Sequence, residues 1–145
     1  MPDISVSVPV PRDADGRVDI RALSAELQRC FANGATEIRV ASLTQLEARQ
    51  LLLVSDRNLL VHLGSLLPRD GVKRQVRFRG EVEARVQRNE AGALSARAVG
   101  INLGELSAVE RATLVWEIAE SGDFERLRFR GTGADGARVR AEFRR

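Results

Sequence analysis

Residues 79–118 read RGEVEARVQRNEAGALSARAVGINLGELSAVERATLVWEI. Val82, Ala84 and Val86 alternate with Glu83 and Arg85, the period of a half-buried strand. Asn89-Glu90-Ala91-Gly92 carries the residues of a turn. Residues 94–101 read as a returning strand. Ser107 followed by Glu110 is a capping box, and it opens a helix over 108–121 that Gly122 ends. Val109, Thr113 and Trp116, with the adjoining Val115, Ile118 and Ala119, form its expected apolar side. Glu110, Glu117 and Glu120 are expected to face water. A hairpin followed by a helix makes this an α+β chain.

Working outward, Ile4, Val6, Val8 and Val10 alternate with Ser5, Ser7 and Pro9. That is a strand, and its prolines place it at a sheet edge. Asp13-Ala14-Asp15-Gly16 is a turn. Ile20, Leu23, Leu27, Cys30 and Phe31 then share one helical face, with Asp19 as cap and Gly34 as stop. Asn33-Gly34 is also a hairpin signal. The abundance of Ala, Leu, Glu and Gln favours the helix over 20–32. Residues 36–41 alternate as a strand. Residues 43–54 admit two readings: a helix opened by the box Thr44-Gln45-Leu46-Glu47, or a loop leading to a strand. Residues 58–63 form an apolar run of strand length, expected to be buried on both faces. Pro68-Arg69-Asp70-Gly71 is a turn before a strand over 72–79, with Val76 and Phe78 on one face. A last hairpin, 125–130 and 137–144, turns at Thr132-Gly133-Ala134-Asp135-Gly136. Leu127, Phe129, Val139, Ala141 and Phe143 share one of its faces. The other carries Arg126, Arg128, Arg130, Arg138 and Arg140.

The 145 residues suit one domain, able to bury roughly two-thirds of its unfolded surface. Hydrophobic content of 43% against 30% charged is that of a globular chain. The net charge is +3, and Lys73 is the only lysine among 23 Lys+Arg. The excess of positive charge lies in residues 124–145, a patch that can attract nucleic acid, phosphate or an acidic partner. One cysteine, Cys30, fits a reducing compartment. The start, Met1-Pro2-Asp3-Ile4, lacks the basic and apolar regions of a secretory leader. Asp56 and Arg57 interrupt the longest apolar stretch, 51–67, so no membrane span is expected. A cytoplasmic protein is the simplest expectation.

No Gly-rich phosphate loop, HExxH, CxxC or GxSxG occurs. His62, the single histidine, is expected at the edge of the core, and Cys30 inside it. Trp116 is also expected in the core. Catalytic residues, metal ligands and a cofactor are not expected, and the chain reads as a non-enzyme.

The order "GEV.ARV.....G..SARAVGINLGELSAVERATLVWEIAE", residues 80–120, resembles the closing hairpin and C-terminal helix of PilZ domains. The similarity is carried best by residues 80–119 and extends back to about residue 38. It implies a six-stranded antiparallel barrel followed by a helix. On that view residues 43–54 are the loop before another strand. The chain becomes a mostly antiparallel, barrel-like α+β domain over 1–145, with a core of about 36–121 and an added hairpin at 124–145.

The family binds cyclic di-GMP through an RxxxR arm and a [D/N]xSxxG loop. Two arginines clamp guanine edges and phosphates by paired hydrogen bonds. The resemblance places the arm at Arg17 and Arg21 and the loop at residues 42–47. Thr44 stands in for the motif's serine. Ser42 replaces its acidic or amide residue, and Glu47 replaces its glycine, adding bulk and negative charge. These departures favour a non-enzymatic PilZ-like adapter, working through an unknown protein partner in bacterial signalling or motility. Self-association through a sheet edge is a further option. A cyclic-di-GMP receptor using Arg17, Arg21, Ser42 and Thr44 is the alternative. Anion or nucleic-acid binding by the C-terminal arginine face is the second alternative, disfavoured for nucleic acid because no aromatic sits between the arginines to stack on bases.

Overall fold

The computed structural model describes residues 4–54, 57–133 and 135–145. Met1 to Asp3, Asp56 of the interrupted apolar stretch and Ala134 of the last turn therefore lie outside the described residues. The elements follow the order β1 (Ser5–Pro9), α1 (Ile20–Ala32), β2 (Glu37–Ala41), α2 (Gln45–Leu53), α3 (Leu59–Gly64), β3 (Arg74–Arg77), β4 (Glu83–Arg88), β5 (Leu94–Asn102), α4 (Ala108–Gly122), β6 (Phe124–Thr132) and β7 (Arg138–Arg144).

The strands form one seven-stranded sheet in the order β1-β2-β3-β4-β5-β6-β7. The α+β class holds. The sheet is open, with β1 and β7 as its edges, so the barrel-like closure expected from the sequence is corrected. It is also mixed: β1/β2, β2/β3 and β5/β6 pair parallel, whereas β3/β4, β4/β5 and β6/β7 pair antiparallel. The reason is local. A helix interrupts the chain before β2, β3 and β6, and a crossover of that length returns the chain to its starting end.

Register sorts the side chains into two faces. Val6, Ile38, Val76, Ala84, Ala98, Phe129 and Ala141 are cross-strand neighbours in one row through all seven strands. Their face meets the helices. Leu23 and Leu27 of α1, Leu51 and Leu52 of α2, Leu59, Leu60 and Leu63 of α3, and Val115 and Ile118 of α4 close the core over it. Gly64 of α3 lies where an added Cβ would touch Leu94 at 3.2 Å and Phe124 at 3.3 Å, which seats α3 on the start of β5 and β6. The final hairpin belongs to this same sheet, since β6 pairs with β5 along its length.

The helices at Asp19 and Ser107 form where their caps predict, and of the two readings of residues 43–54 the structure takes the helix. Asp19 accepts a hydrogen bond from the Ala22 N–H at the head of α1. The boxes Thr44/Glu47 and Ser107/Glu110 are both closed, so residues 45–53 are helical. Residues 58–63 are corrected from strand to helix. Asn58 is buried; its carboxamide accepts from the Leu60 N–H and donates to the Leu52 carbonyl, which starts α3. Its leucines then point inward at helical spacing. Trp116 and Val109 are corrected from core to surface, at 55% and 75% exposed. The helix seats itself on Val115, Ile118 and Ala119 instead, and that rotates Val109, Thr113 and Trp116 outward. Asp123, at φ 54°, takes the left-handed cap after Gly122. Cys30 is buried and His62 half-buried on α3.

Two glycines let the sheet bend at β5. A bulge lies between Ala98 and Ile101. Gly100 there has φ +76°, and a Cβ would meet the Glu81 carbonyl oxygen at 2.2 Å. A Cβ on Gly131 of β6 would meet the Ile101 carbonyl oxygen at 1.5 Å. Both obstacles are backbone, which cannot swing aside. Gly131→Ala should cost about 3 kcal/mol or more, read as a fall in urea midpoint. An unchanged midpoint would show that this backbone contact is not present in solution.

Candidate functional site: the arginine face of the sheet

The row adjacent to the core row points the other way. Ser5, Glu37, Gln75, Arg85, Arg97, Arg128 and Glu142 are cross-strand neighbours through all seven strands. Alternation along each strand adds Arg39, Arg77, Arg126, Arg130, Arg140 and Arg144 to the same side. The helices lie on the opposite side, so this face is open to solvent. With strands about 4.8 Å apart, Arg85, Arg97 and Arg128 stand within about 10 Å of one another.

Carboxylates neutralise only the margins. Glu37 and Glu83 pair with Arg77 at 3.3 and 3.8 Å, Glu83 reaches Arg85 at 3.9 Å, and Glu142 pairs with Arg126 at 3.1 Å. Among the described residues, Arg97, Arg128, Arg130 and Arg140 have no carboxylate at salt-bridge distance. Partial burial, then the positive charges of Arg130, Arg128 and Arg85, push the Arg97 guanidinium below its ordinary pKa. Its Nε is buried without a hydrogen-bond partner. Like charges directly opposite in a ladder are destabilising. Here three stand in line over a hollow of about 260 Å³ lined by Lys73, Gln87, Ser95, Arg97, Arg126 and Arg128. A group of negative charge placed there would relieve that repulsion.

Arg126, Arg128, Arg130, Arg138 and Arg140 thus share one face, as the alternation of the last hairpin predicts. Sequence reasoning missed Arg85, Arg97 and Lys73. Period-2 patterning places Arg85 and Arg97 opposite the apolar face of their strands. Nothing local reveals that β5 lies beside β6, because α4 separates them in the chain.

The residues singled out by the family resemblance fall elsewhere. Arg17 lines a cleft of about 400 Å³ with Ile20, Glu47, Gln50, Leu51 and Arg57. Arg21 is exposed on α1 and is not part of that cleft's wall. Thr44 caps α2, its hydroxyl accepting from the Glu47 N–H at 3.1 Å. Ser42 adopts φ 68°, and its carbonyl accepts from Arg12 at 2.9 Å. Arg12, which the sequence did not single out, is the clamp: it donates to both Glu47 oxygens at 2.6 and 2.9 Å and to the Gly16 carbonyl at 2.9 Å. It neutralises the charge that Glu47 adds to the loop. Among the described residues, no cluster of three His, Cys, Asp or Glu could hold a metal ion, and no helix is long and apolar enough to cross a membrane.

Comparisons with protein-family models, with curated proteins and with solved structures find no match to this chain. The chemistry of its own faces therefore carries the functional argument.

The hydrogen bonds from Arg12, with those from Thr44, lower the Glu47 pKa from 4.5 to about 2. A depressed carboxylate stabilises the fold fully above its unfolded pKa and loses that contribution as pH falls through the folded value. Asp70, clamped by the buried Arg74, behaves alike, with a pKa of about 2. Stability should fall between pH of about 4.5 and 2, and Glu47→Gln should flatten part of that slope in urea titrations at stepped pH. A slope identical in Glu47→Gln would remove the Arg12–Glu47 pair as its source.

Proposed function

We propose that this chain is a non-enzymatic binding module whose open sheet face holds the phosphate backbone of a nucleic acid. The observation that carries this reading is the in-register line Arg85–Arg97–Arg128, with Arg130 beside it, in which, among the described residues, only Arg85 has a carboxylate at salt-bridge distance, Glu83 at 3.9 Å. Guanidinium groups match phosphate oxygens in paired geometry. Arg126, Arg128 and Arg130 repeat along β6 at about 6.7 Å, twice the rise per strand residue. That line crosses the Arg85–Arg97–Arg128 row, giving a two-dimensional lattice of donors. Among the described residues, the strands place no aromatic side chain on this face, so the contacts are to backbone and not to stacked bases. Such binding is insensitive to sequence and strongly dependent on salt. In the adapter role that the PilZ resemblance implies, this face would be the contact surface.

The test is fluorescence anisotropy with labelled double- and single-stranded DNA of mixed sequence. Log affinity should fall linearly with log salt. Arg97→Ala and Arg128→Ala should each lower that slope by about one unit and weaken binding uniformly across sequences. Arg29→Ala is the control, because Arg29 is paired with Glu26 on the outer side of α1. Binding that ignores salt, or that survives both sheet substitutions unchanged, would sink the proposal.

Cyclic di-GMP remains a second reading on one observation: Arg17 and the Glu47 end of the loop share the 400 Å³ cleft, a volume within the range of small-ligand sites. In calorimetric titration, heat that is lost in Arg17→Ala and kept in Arg97→Ala would place that ligand in the cleft. No heat at high micromolar ligand would end this reading.

A further inference from the structure

α4 is amphipathic twice over. Val115, Ile118 and Ala119 bury one side against the sheet. On the other side Val109, Ala112, Thr113 and Trp116 recur at i, i+3, i+4 and i+7, and all four are exposed. Val109 and Trp116 are among the most exposed large apolar side chains of the described chain. A groove of about 470 Å³ runs beside this stripe, walled by Leu53, Leu106, Val109 and Leu114. Glu105, Glu110 and Glu117 stand on its rim.

The rim keeps its negative charge. Among the described residues, none of these three carboxylates has an ion-pair partner. The nearby Arg111 donates to the Leu106 carbonyl at 2.7 Å and pairs with none of these carboxylates. Glu110 accepts from the Ser107 N–H, and that bond lowers its pKa and keeps it ionised. An apolar stripe edged by fixed negative charge complements a segment with apolar anchors and positive flanks.

We infer that the outer groove of α4 docks an amphipathic helix of a partner protein, one whose apolar residues repeat at helical spacing between lysines or arginines. A second copy of this chain fits poorly. Its densest group of arginines lies on the open sheet face, where, among the described residues, Val99 is the only large apolar side chain, so that face offers charge without anchors. Its strongly amphipathic helix, α1, has its apolar face in the core. The groove lies on the helical layer, away from the arginine face, so one molecule can engage both at once. This inference does not depend on nucleic-acid binding.

Trp116 is the only tryptophan and lies on the exposed stripe beside the groove, outside its lining, so its fluorescence reports on a helix that covers groove and stripe together. The intact protein is titrated with two helical peptides. Both carry leucines at i, i+3, i+4 and i+7; one has lysines on its flanks and the other glutamates. A saturable blue shift is expected with the lysine peptide alone. Glu105→Lys combined with Glu117→Lys should weaken it about tenfold or more, a change of about 1.4 kcal/mol. Both glutamates are exposed, so circular dichroism and the urea midpoint should be unchanged. Three results overturn the inference: no shift up to about millimolar peptide, equal binding of the glutamate peptide, or a shift that tracks the protein's own concentration without peptide. The last would make a second copy the occupant. The comparison of two peptides on the unaltered protein decides the matter even if the double variant fails to fold.

Discussion

The structure depends on one topological constraint: the strands are laid down in sequence order, always advancing in the same direction across the sheet. β1, β2, β3, β5 and β6 all run the same way. Parallel crossovers are right-handed almost without exception. Right-handed steps taken in one direction, between strands of one polarity, must all pass over the same face. α1, the α2–α3 pair and α4 therefore form one layer, in which α3 touches each of the others. The opposite face has no crossover left to cover it.

An uncovered sheet face has to be soluble, and this chain makes it so with arginine. That choice carries a cost. Serine, threonine or alternating charges would have served solubility without setting guanidinium against guanidinium across β4, β5 and β6. The carboxylates available are placed at the two flanks, where they neutralise Arg77, Arg85 and Arg126, and not at the centre. On the covered side the chain treats a cation differently. Arg74 lies in the core layer at 7% exposure, held by both oxygens of Asp70 and stacked 5.7 Å from the Phe31 ring. The contrast between a buried arginine held by a carboxylate and the central arginines of the open face, Arg97 and Arg128, with no carboxylate at salt-bridge distance among the described residues, is what gives the open face its meaning as a site.

Much of the local structure was legible. The Ser107 capping box and the Asp19 cap marked two helix starts, because a cap is a contact among near neighbours in the chain; the Thr44 box left residues 43–54 open between helix and loop, and the structure makes them a helix. Period-2 alternation marked the strands and put Arg126, Arg128 and Arg130 on one side. Two readings failed for physical reasons. Residues 58–63 are apolar throughout, so periodicity could not separate a buried strand from a buried helical turn. In α4, Val109 and Trp116 lie on one stripe and Val115 and Ile118 on another, and hydrophobicity alone does not say which stripe meets the sheet.

By itself the sequence determined the α+β class, the capped helix over 108–121 and the arginine side of the last hairpin, since each rests on residues a few positions apart. Tertiary structure alone decided that the sheet stays open, that Arg97 stands between Arg85 and Arg128, and that the Val109–Trp116 stripe faces water. Those outcomes depend on which strands become neighbours across a helical crossover. That choice is made by burial of a shared core over long chain separations, and no local pattern encodes it.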